Sequence, residues 1–224
     1  SFATTIATIT SDNENELVDA IAILNKSGGI IYIDTPIIHI SSSISIILSG
    51  SIEGSIIGRR QKNSYPVIDF LNSVNNDDRG FKISGSKKSI KYLIIQNANK
   101  GIWITGSYNT LNHIMTRYNS DSGILLSDNA VYNYFDYCYS YRNGNNMDGS
   151  CENCDGFAQK SGSYQNVFSY CFAWDNSNDG WLSFIYNGQT DKSESVSFQH
   201  SGGWNNGNLD VFTGKYDYAQ GMKA

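Results

Sequence analysis

The sequence predicts an all-β parallel β-helix, one solenoid domain over residues 1–224, closed at its N-terminal end by an α-helical cap. Three observations predict it. The segment from Asn133 (NYFDYCYSYRN) overlays the one from Asn166 (NVFSYCFAWDN) at an offset of 33, matching Asn133 to Asn166, Tyr137 to Tyr170, Cys138 to Cys171 and Asn143 to Asn176. The segment from Asn109 (NTLNHIMTRYN) joins the same column 24 residues earlier and ends on Asn119. A second column repeats a polar residue, a glycine and an apolar strand: Arg79-Gly80-Phe81, Lys100-Gly101-Ile102, Ser122-Gly123-Ile124, Asp155-Gly156-Phe157 and Asp179-Gly180-Trp181, at spacings of 21, 22, 33 and 24. A period near 22 with two short strands per repeat is that of a chain winding one coil per repeat, like residues stacking on like. Third, 25 Asn and 21 Gly against 2 Pro mark many turns. Asn recurring where strand meets turn suits residues that tolerate a left-handed backbone and bond to their column neighbours.

Composition bounds the rest. Hydrophobic residues are 40% and charged residues 17%, enough apolar content for a core and too much for a disordered chain. The formal net charge is −5, and no run of Lys or Arg exceeds a pair such as Arg59-Arg60 or Lys87-Lys88, so no phosphate-backbone footprint exists and nucleic acid is not an expected partner. The longest apolar stretches fall far short of the roughly 20 residues of a membrane helix. A monomer with no membrane partner is expected.

Taken in chain order, the first element is a capping helix over 12–26. Ser11 and Glu14 have the spacing of a capping box, and Leu17, Ala20, Ile21 and Leu24 recur at helical spacing before Ser27-Gly28-Gly29. A helix there covers the unpaired edges of the first coil. The coils occupy 30–224, with IIYID, HISSSISI and SIIGRR as the first, least regular ones. The 33-residue step is an ordinary coil plus an inserted loop, 144–154 (GNNMDGSCENC). Loops on a solenoid mark its binding face.

Four cysteines leave two readings each. Cys138 and Cys171 share a column, so their Cα atoms fall about 4.8 Å apart, within reach of a disulfide. Ile114 fills the same column one coil earlier, which equally suits a stack of small apolar thiols. Cys151 and Cys154 form a lone CxxC in the loop; with no second pair and no nearby His, a loop disulfide is favoured over zinc if the protein is secreted.

The strongest chemical signal is Asp155 with Asp179. Both head the glycine column one coil apart, so their side chains fall on one face about 5 Å from each other. Two carboxylates at that distance require that one be protonated or that a cation join them. Asn178 adds a carbonyl oxygen, and hard oxygen ligands suit Ca²⁺ over a transition metal. The alternative is that these Asp residues only cap turns.

The segment CDGFAQKSGSYQNVFSYCFAWDNSNDGW, Cys154 to Trp181, resembles the core of polysaccharide lyase family 9, whose members carry N-A-D-G-F-A-x-K, then G-N-x-F-x-x-C-x-A, then S-D-D-G-W-D. The resemblance extends back through YNSDSGILLSDNAVYN and forward to GGWNNGNLDVF, about the C-terminal half. The opening ELVDAIAILNKSGGIIYI is similar to the helix-plus-first-strand start of pectin-lyase-like β-helices. The resemblance implies a right-handed parallel β-helix, secreted, that cleaves pectate or rhamnogalacturonan-type chains by β-elimination with Ca²⁺ and a lysine base. In that chemistry a proton leaves the carbon next to a uronate carboxylate, and Ca²⁺ neutralises the charge that builds there.

Carried over by position, the family's calcium ligands fall on Asp155, on Asn178 and Asp179 for S-D-D, and on Leu182 for the last Asp of G-W-D. Asn178 retains an oxygen; Leu182 does not. The family's base lies in an N-G-F-K segment absent before Ala224. Lys215 in FTGKYDY and Lys160, on the strand of Asp155, are the candidates for that base, with Lys100 two coils earlier as a third. Trp174, Trp181 and Trp204 are candidates for stacking on sugar rings, or else for stacking on each other. At this period the chain holds about eight or nine coils, short for a complete lyase of this type, so C-terminal truncation is expected. The competing function is a degenerate β-helix that binds acidic plant-cell-wall polysaccharide without cutting it; a purely adhesive solenoid is a third.

Overall fold

A computed structural model describes residues 3–41, 45–71, 80–144, 153–184 and 196–207. Every coil lays its strands parallel to those of the coil before, building a thirteen-stranded and a six-stranded sheet among the described residues. The smaller sheet stacks Ile46–Leu48, Gly80–Ile83, Lys100–Ile104, Ile124–Leu126, Phe157–Lys160 and Trp181–Phe184. Its register places Phe81, Ile102, Ile124, Phe157 and Trp181 above one another, so the glycine-column spacings are the coil steps. On the larger sheet the same stacking joins Ile31, Ile56, Ile90, Leu111, Phe135 and Phe168, all buried. Each such side chain removed from water contributes roughly 1.5–3 kcal/mol.

The N-terminal cap departs from the sequence pattern in two places. A strand, Thr5–Ile9, precedes the helix and pairs in parallel with Gly29–Ile33, forming a rung before the expected first coil. The helix runs Glu14–Ser27 and buries Leu17, Ala20, Ile21 and Leu24. Its N-cap is Asn13, whose side chain accepts from the Glu16 N–H at 3.1 Å, so the Ser11–Glu14 capping box does not form. Glu14 is used elsewhere: it accepts from the Ser41 N–H at 3.0 Å, and Asp12 accepts from the His39 N–H at 2.8 Å. These carboxylates tie the helix start to the end of the strand Ile37–His39 and to the chain just after it.

The recurring asparagines hold the corners, but they are not the left-handed residues. Those are the residues just before them: Tyr118, Arg142, Asp175 and Asn205 have φ of 55°, 53°, 53° and 51°, and Tyr108, Tyr132 and Gln165 behave alike. A left-handed turn at a non-glycine residue costs about 1–2 kcal/mol, and the following asparagine offsets it. Asn119 Nδ2 donates to Asn143 Oδ1 at 2.8 Å, Asn143 Nδ2 to Asn176 Oδ1 at 2.8 Å, and Asn176 Nδ2 to Asn206 Oδ1 at 2.9 Å. The same oxygens accept the backbone N–H of the asparagine one coil earlier. A second ladder runs through Asn109, Asn133 and Asn166.

Cys138 and Cys171 are free, buried thiols, so the stacked-thiol reading holds and the disulfide reading does not. Burial pushes the Cys138 thiol well up, with Cys171 beside it adding to the effect. Cys154 is disulfide-bonded. Cys151 and residues 145–152 of the inserted loop lie outside the described residues.

Asn143→Ala removes the oxygen that accepts both the Asn119 N–H and Asn119 Nδ2, and one of the two donors to Asn176 Oδ1, all inside the core. With about 1–3 kcal/mol lost per buried group left unsatisfied, it should cost roughly 2–4 kcal/mol in chemical denaturation, while Arg142→Ala next to it, on the surface, stays within about 1 kcal/mol. Equal losses would show that the ladder is not what holds the corner.

Candidate functional site

The site is shaped by the glycine column. Where the chain turns into the smaller sheet, it passes so close to the asparagine ladder that a side chain does not fit. A Cβ on Gly123 would meet Ser140 Oγ, with Thr116 Oγ1 at 2.6 Å and Asn143 Nδ2 at 2.7 Å; on Gly156 it would meet Gly180 O at 2.6 Å and Asn176 Nδ2 at 2.8 Å. This close approach draws the preceding residue inward: Ser122, Asp155 and Asp179 are all buried.

Asp155 carries the site's electrostatics. Its Oδ1 accepts from Asn178 Nδ2 at 3.0 Å and from the Asp179 backbone N–H at 3.2 Å. Its Oδ2 is buried and accepts no hydrogen bond. The Lys160 ammonium stands 3.5 Å from that oxygen and donates to Asn153 Oδ1 at 2.9 Å. Burial, together with the Asp179 charge, pushes the Asp155 carboxyl up to about 6 against the pull of Lys160 and of the Asp179 N–H.

A buried carboxylate oxygen with no hydrogen bond, next to a second buried carboxylate, suits a hard cation. The donor set is small, however. Ca²⁺ takes about 6–8 oxygens, whereas Asp155, Asp179 and Asn178 offer two carboxylates and one amide. Leu182 sits in register with Ala158 and brings no oxygen. Among the described residues, no group of three or more His, Cys, Asp or Glu forms a metal cluster. The residues therefore fit a cation whose remaining ligands come from backbone, water or a bound anion.

The sequence-predicted residues divide sharply. Asp155, Asn178, Asp179 and Lys160 come together. Lys100 lies two coils earlier, its ammonium 3.2 Å from Asp121 Oδ2 and 3.0 Å from Asn99 Oδ1. Lys215 lies outside the described residues. Trp181 points into the core, stacked on Phe157 at 4.1 Å with its indole N–H on Gly202 O, so it has no face for a sugar. Trp174 is sandwiched between Tyr141 at 4.5 Å and Trp204 at 5.1 Å, nearly parallel to both; neither of its faces is open. Trp204, with one face on Trp174, is 53% exposed, but it belongs to the larger sheet.

The fourth tryptophan, not among those candidates, is on the site's sheet. Trp103 sits at an outward position of Lys100–Ile104, its indole N–H donating to Ser127 Oγ at 2.8 Å. Strand parity signals this: Trp181 directly follows its column glycine and points in, whereas Trp103 comes one residue later and points out.

The fold is thus a parallel β-helix in which a buried acidic pair heads two successive coils. Residues 3–224 match the family model described as "Pel9A-like, right handed beta helix region", and the chain belongs to that family. Over 123 residues it is 32% identical to pectate lyase L of Paenibacillus polymyxa (strain SC2), covering 50% of this chain and 26% of that protein. Among solved structures, pectate lyase Pel9A superposes with a TM-score of 0.74 at 18% identity, covering 100% of this chain and 59% of its own. An alginate lyase from Paenibacillus sp. str. FPU-7 gives 0.56 at 14% identity, covering 91% and 75%. The catalytic domain of a GH87 α-1,3-glucanase with bound tetrasaccharides gives 0.58 at 18% identity, covering 90% and 39%. The chain thus spans about a quarter of the curated relative, and at these identities the structural matches speak for the fold alone.

The raised Asp155 carboxyl makes stability depend on pH. A raised folded-state value means that the folded chain holds this proton more tightly, so stability is greatest below the unfolded value near 3.8 and is lost as pH rises through about 6. In chelator, the stability of Asp155→Asn relative to the parent should rise by up to about 3 kcal/mol between pH 4 and pH 7.5. Parallel denaturation curves at both pH values would refute a strained Asp155.

Proposed function

We propose that this β-helix acts on pectate or a related acidic plant-cell-wall polysaccharide as a calcium-dependent lyase, cutting by β-elimination. The observation that carries this reading is the buried Asp155, with one oxygen free of hydrogen bonds, one coil from Asp179. Asn178 Nδ2 and the Asp179 N–H fix Asp155 through Oδ1, which leaves Oδ2 as the atom available to a ligand. Ca²⁺, held by Asp155, Asp179 and the Asn178 oxygen, would supply the positive charge against which a uronate carboxylate accumulates negative charge as the neighbouring proton departs. Lys160 balances the buried Asp155 charge and, with the amide of Asn153, fills one side of the site. To serve as base, Lys160 would have to leave Asp155 and give up its own proton, so that the neutral amine takes the substrate's proton; Lys215 is the other candidate. An extracellular setting accords with a wall polymer as substrate and with the disulfide at Cys154.

A second reading is binding without cleavage. Two observations favour it: Leu182 at a ligand position and Lys160 already engaged by Asp155 and Asn153.

Polygalacturonate incubated with the protein and Ca²⁺ should yield unsaturated product, followed by its ultraviolet absorbance. Chelator should stop it, and Asp179→Ala should slow it by about 100-fold or more. Lys215→Ala and Lys160→Ala separate the two bases, since only the true base abolishes the reaction. No absorbance change, with calorimetry still showing glycan binding, would leave the second reading in place of the first.

A further inference from the structure

We propose that Lys82, Trp103 and Lys100 form a calcium-independent subsite for a carboxylate of the acidic glycan, upstream of Asp155 and Asp179 on the same sheet. This rests on the reading of the chain as acting on acidic polysaccharide, and it adds a place where that polymer is gripped.

Lys82 and Trp103 are register partners on adjacent rungs of the smaller sheet. The Lys82 ammonium stands over the indole, 3.7 Å from its centroid. Among the described residues it has no carboxylate partner. An aromatic face attracts an ammonium without cancelling its charge, so Lys82 remains a full cation at the surface. Lys100, on the strand of Trp103, brings a second ammonium 5.8 Å from the same ring. Asp121 neutralises that one. Among the described residues, Lys82 and Lys100 face the one carboxylate of Asp121 here, on a chain whose net charge is −5. Trp103 is held in place by its bond to Ser127 Oγ, so the apolar surface beside the cations is fixed before any ligand arrives. An anion flanked by C–H groups, which is what a uronate presents, matches that pairing.

Position ties this cluster to the acidic pair. Lys100 heads the same column as Ser122, Asp155 and Asp179, so it lies two rungs before Asp155, about 10 Å at the usual strand spacing. The two ends of the strip have opposite sign. At Asp155 and Asp179 a glycan carboxylate is repelled unless a cation intervenes; at Lys82 it needs none. Binding therefore has two separable parts, one that survives chelation and one that does not.

The test is titration calorimetry of the whole chain in chelator, with a polygalacturonate oligomer as probe and an uncharged galactan as control. The parent should bind the acidic oligomer and not the galactan. Lys82→Met should weaken binding roughly five- to tenfold, Lys82→Arg should restore it, and Lys100→Met should weaken it as well. Ligand-induced fluorescence change should vanish in Trp103→Phe and persist in Trp174→Phe. Thermal melts confirm that each variant is folded; should Lys82→Met fail to fold, Lys100→Met and Trp103→Phe carry the test. Unchanged affinity in folded Lys82→Met, or no binding by the parent in chelator, overturns the subsite. Calcium-dependent product formation alongside either result leaves the lyase reading standing. Lys82-sensitive binding with no product in calcium keeps the subsite and sinks the lyase.

Discussion

Everything in this chain follows from holding successive coils in one register, and the buried asparagine ladders are what hold it. Asn143 and Asn176 each satisfy two donors of the coil before and hand their own amide to the coil after, so one slipped rung leaves several polar groups orphaned inside the core. That constraint forces like positions to coincide. It stacks Phe on Phe and thiol on thiol, and it equally stacks Asp155 on Asp179, a pair that free side chains would not choose. The acidic pair is thus built by the backbone and tolerated by the side chains.

Much of this is legible in the sequence because the corner residues are chemically distinctive. Asn109, Asn133 and Asn166, with Asn119, Asn143 and Asn176, announce both corners, and Gly80 through Gly180 announce the entry to the smaller sheet. The pattern misleads where one chemical trait serves two structural ends. Asn is the residue expected to turn left-handed, yet here its amide is worth more in the ladder, and the backbone turn passes to Tyr118, Arg142 or Asp175 just before it. The rung Thr5–Ile9 is hidden because it has no glycine or asparagine column to join.

The candidate site is legible by halves. Asp155, Asn178, Asp179 and Lys160 share a site because column arithmetic fixes backbone position. The tryptophans scatter because their use depends on which way a side chain points, and aromatic content alone carries no direction. Parity would have sorted them: the position just after a column glycine faces the core, the next faces out, and by that rule Trp181 is core and Trp103 is surface. Trp174 needs one step more, since Tyr141 and Trp204 occupy its column in the adjacent coils and cover both its faces.

The fold does not choose the chemistry, since the same solenoid path accommodates lyases of acidic glycans and a glucanase. The proposed lyase reading rests on Asp155, a carboxyl raised to about 6 with one oxygen lacking a hydrogen bond. A charge so placed weakens the fold, and perturbed carboxyls of this kind gather at functional sites. Leu182 then acquires a specific meaning. Under the lyase reading, with no oxygen at that position, the protein's own side chains would be too few to hold a hard cation tightly, and a glycan carboxylate would have to complete the ligand set. Under the lyase reading, cation and glycan are then coupled ligands, each tightening the other by the same factor. On that reading, an aliphatic residue in place of a carboxylate would convert a resident ion into one recruited together with the substrate.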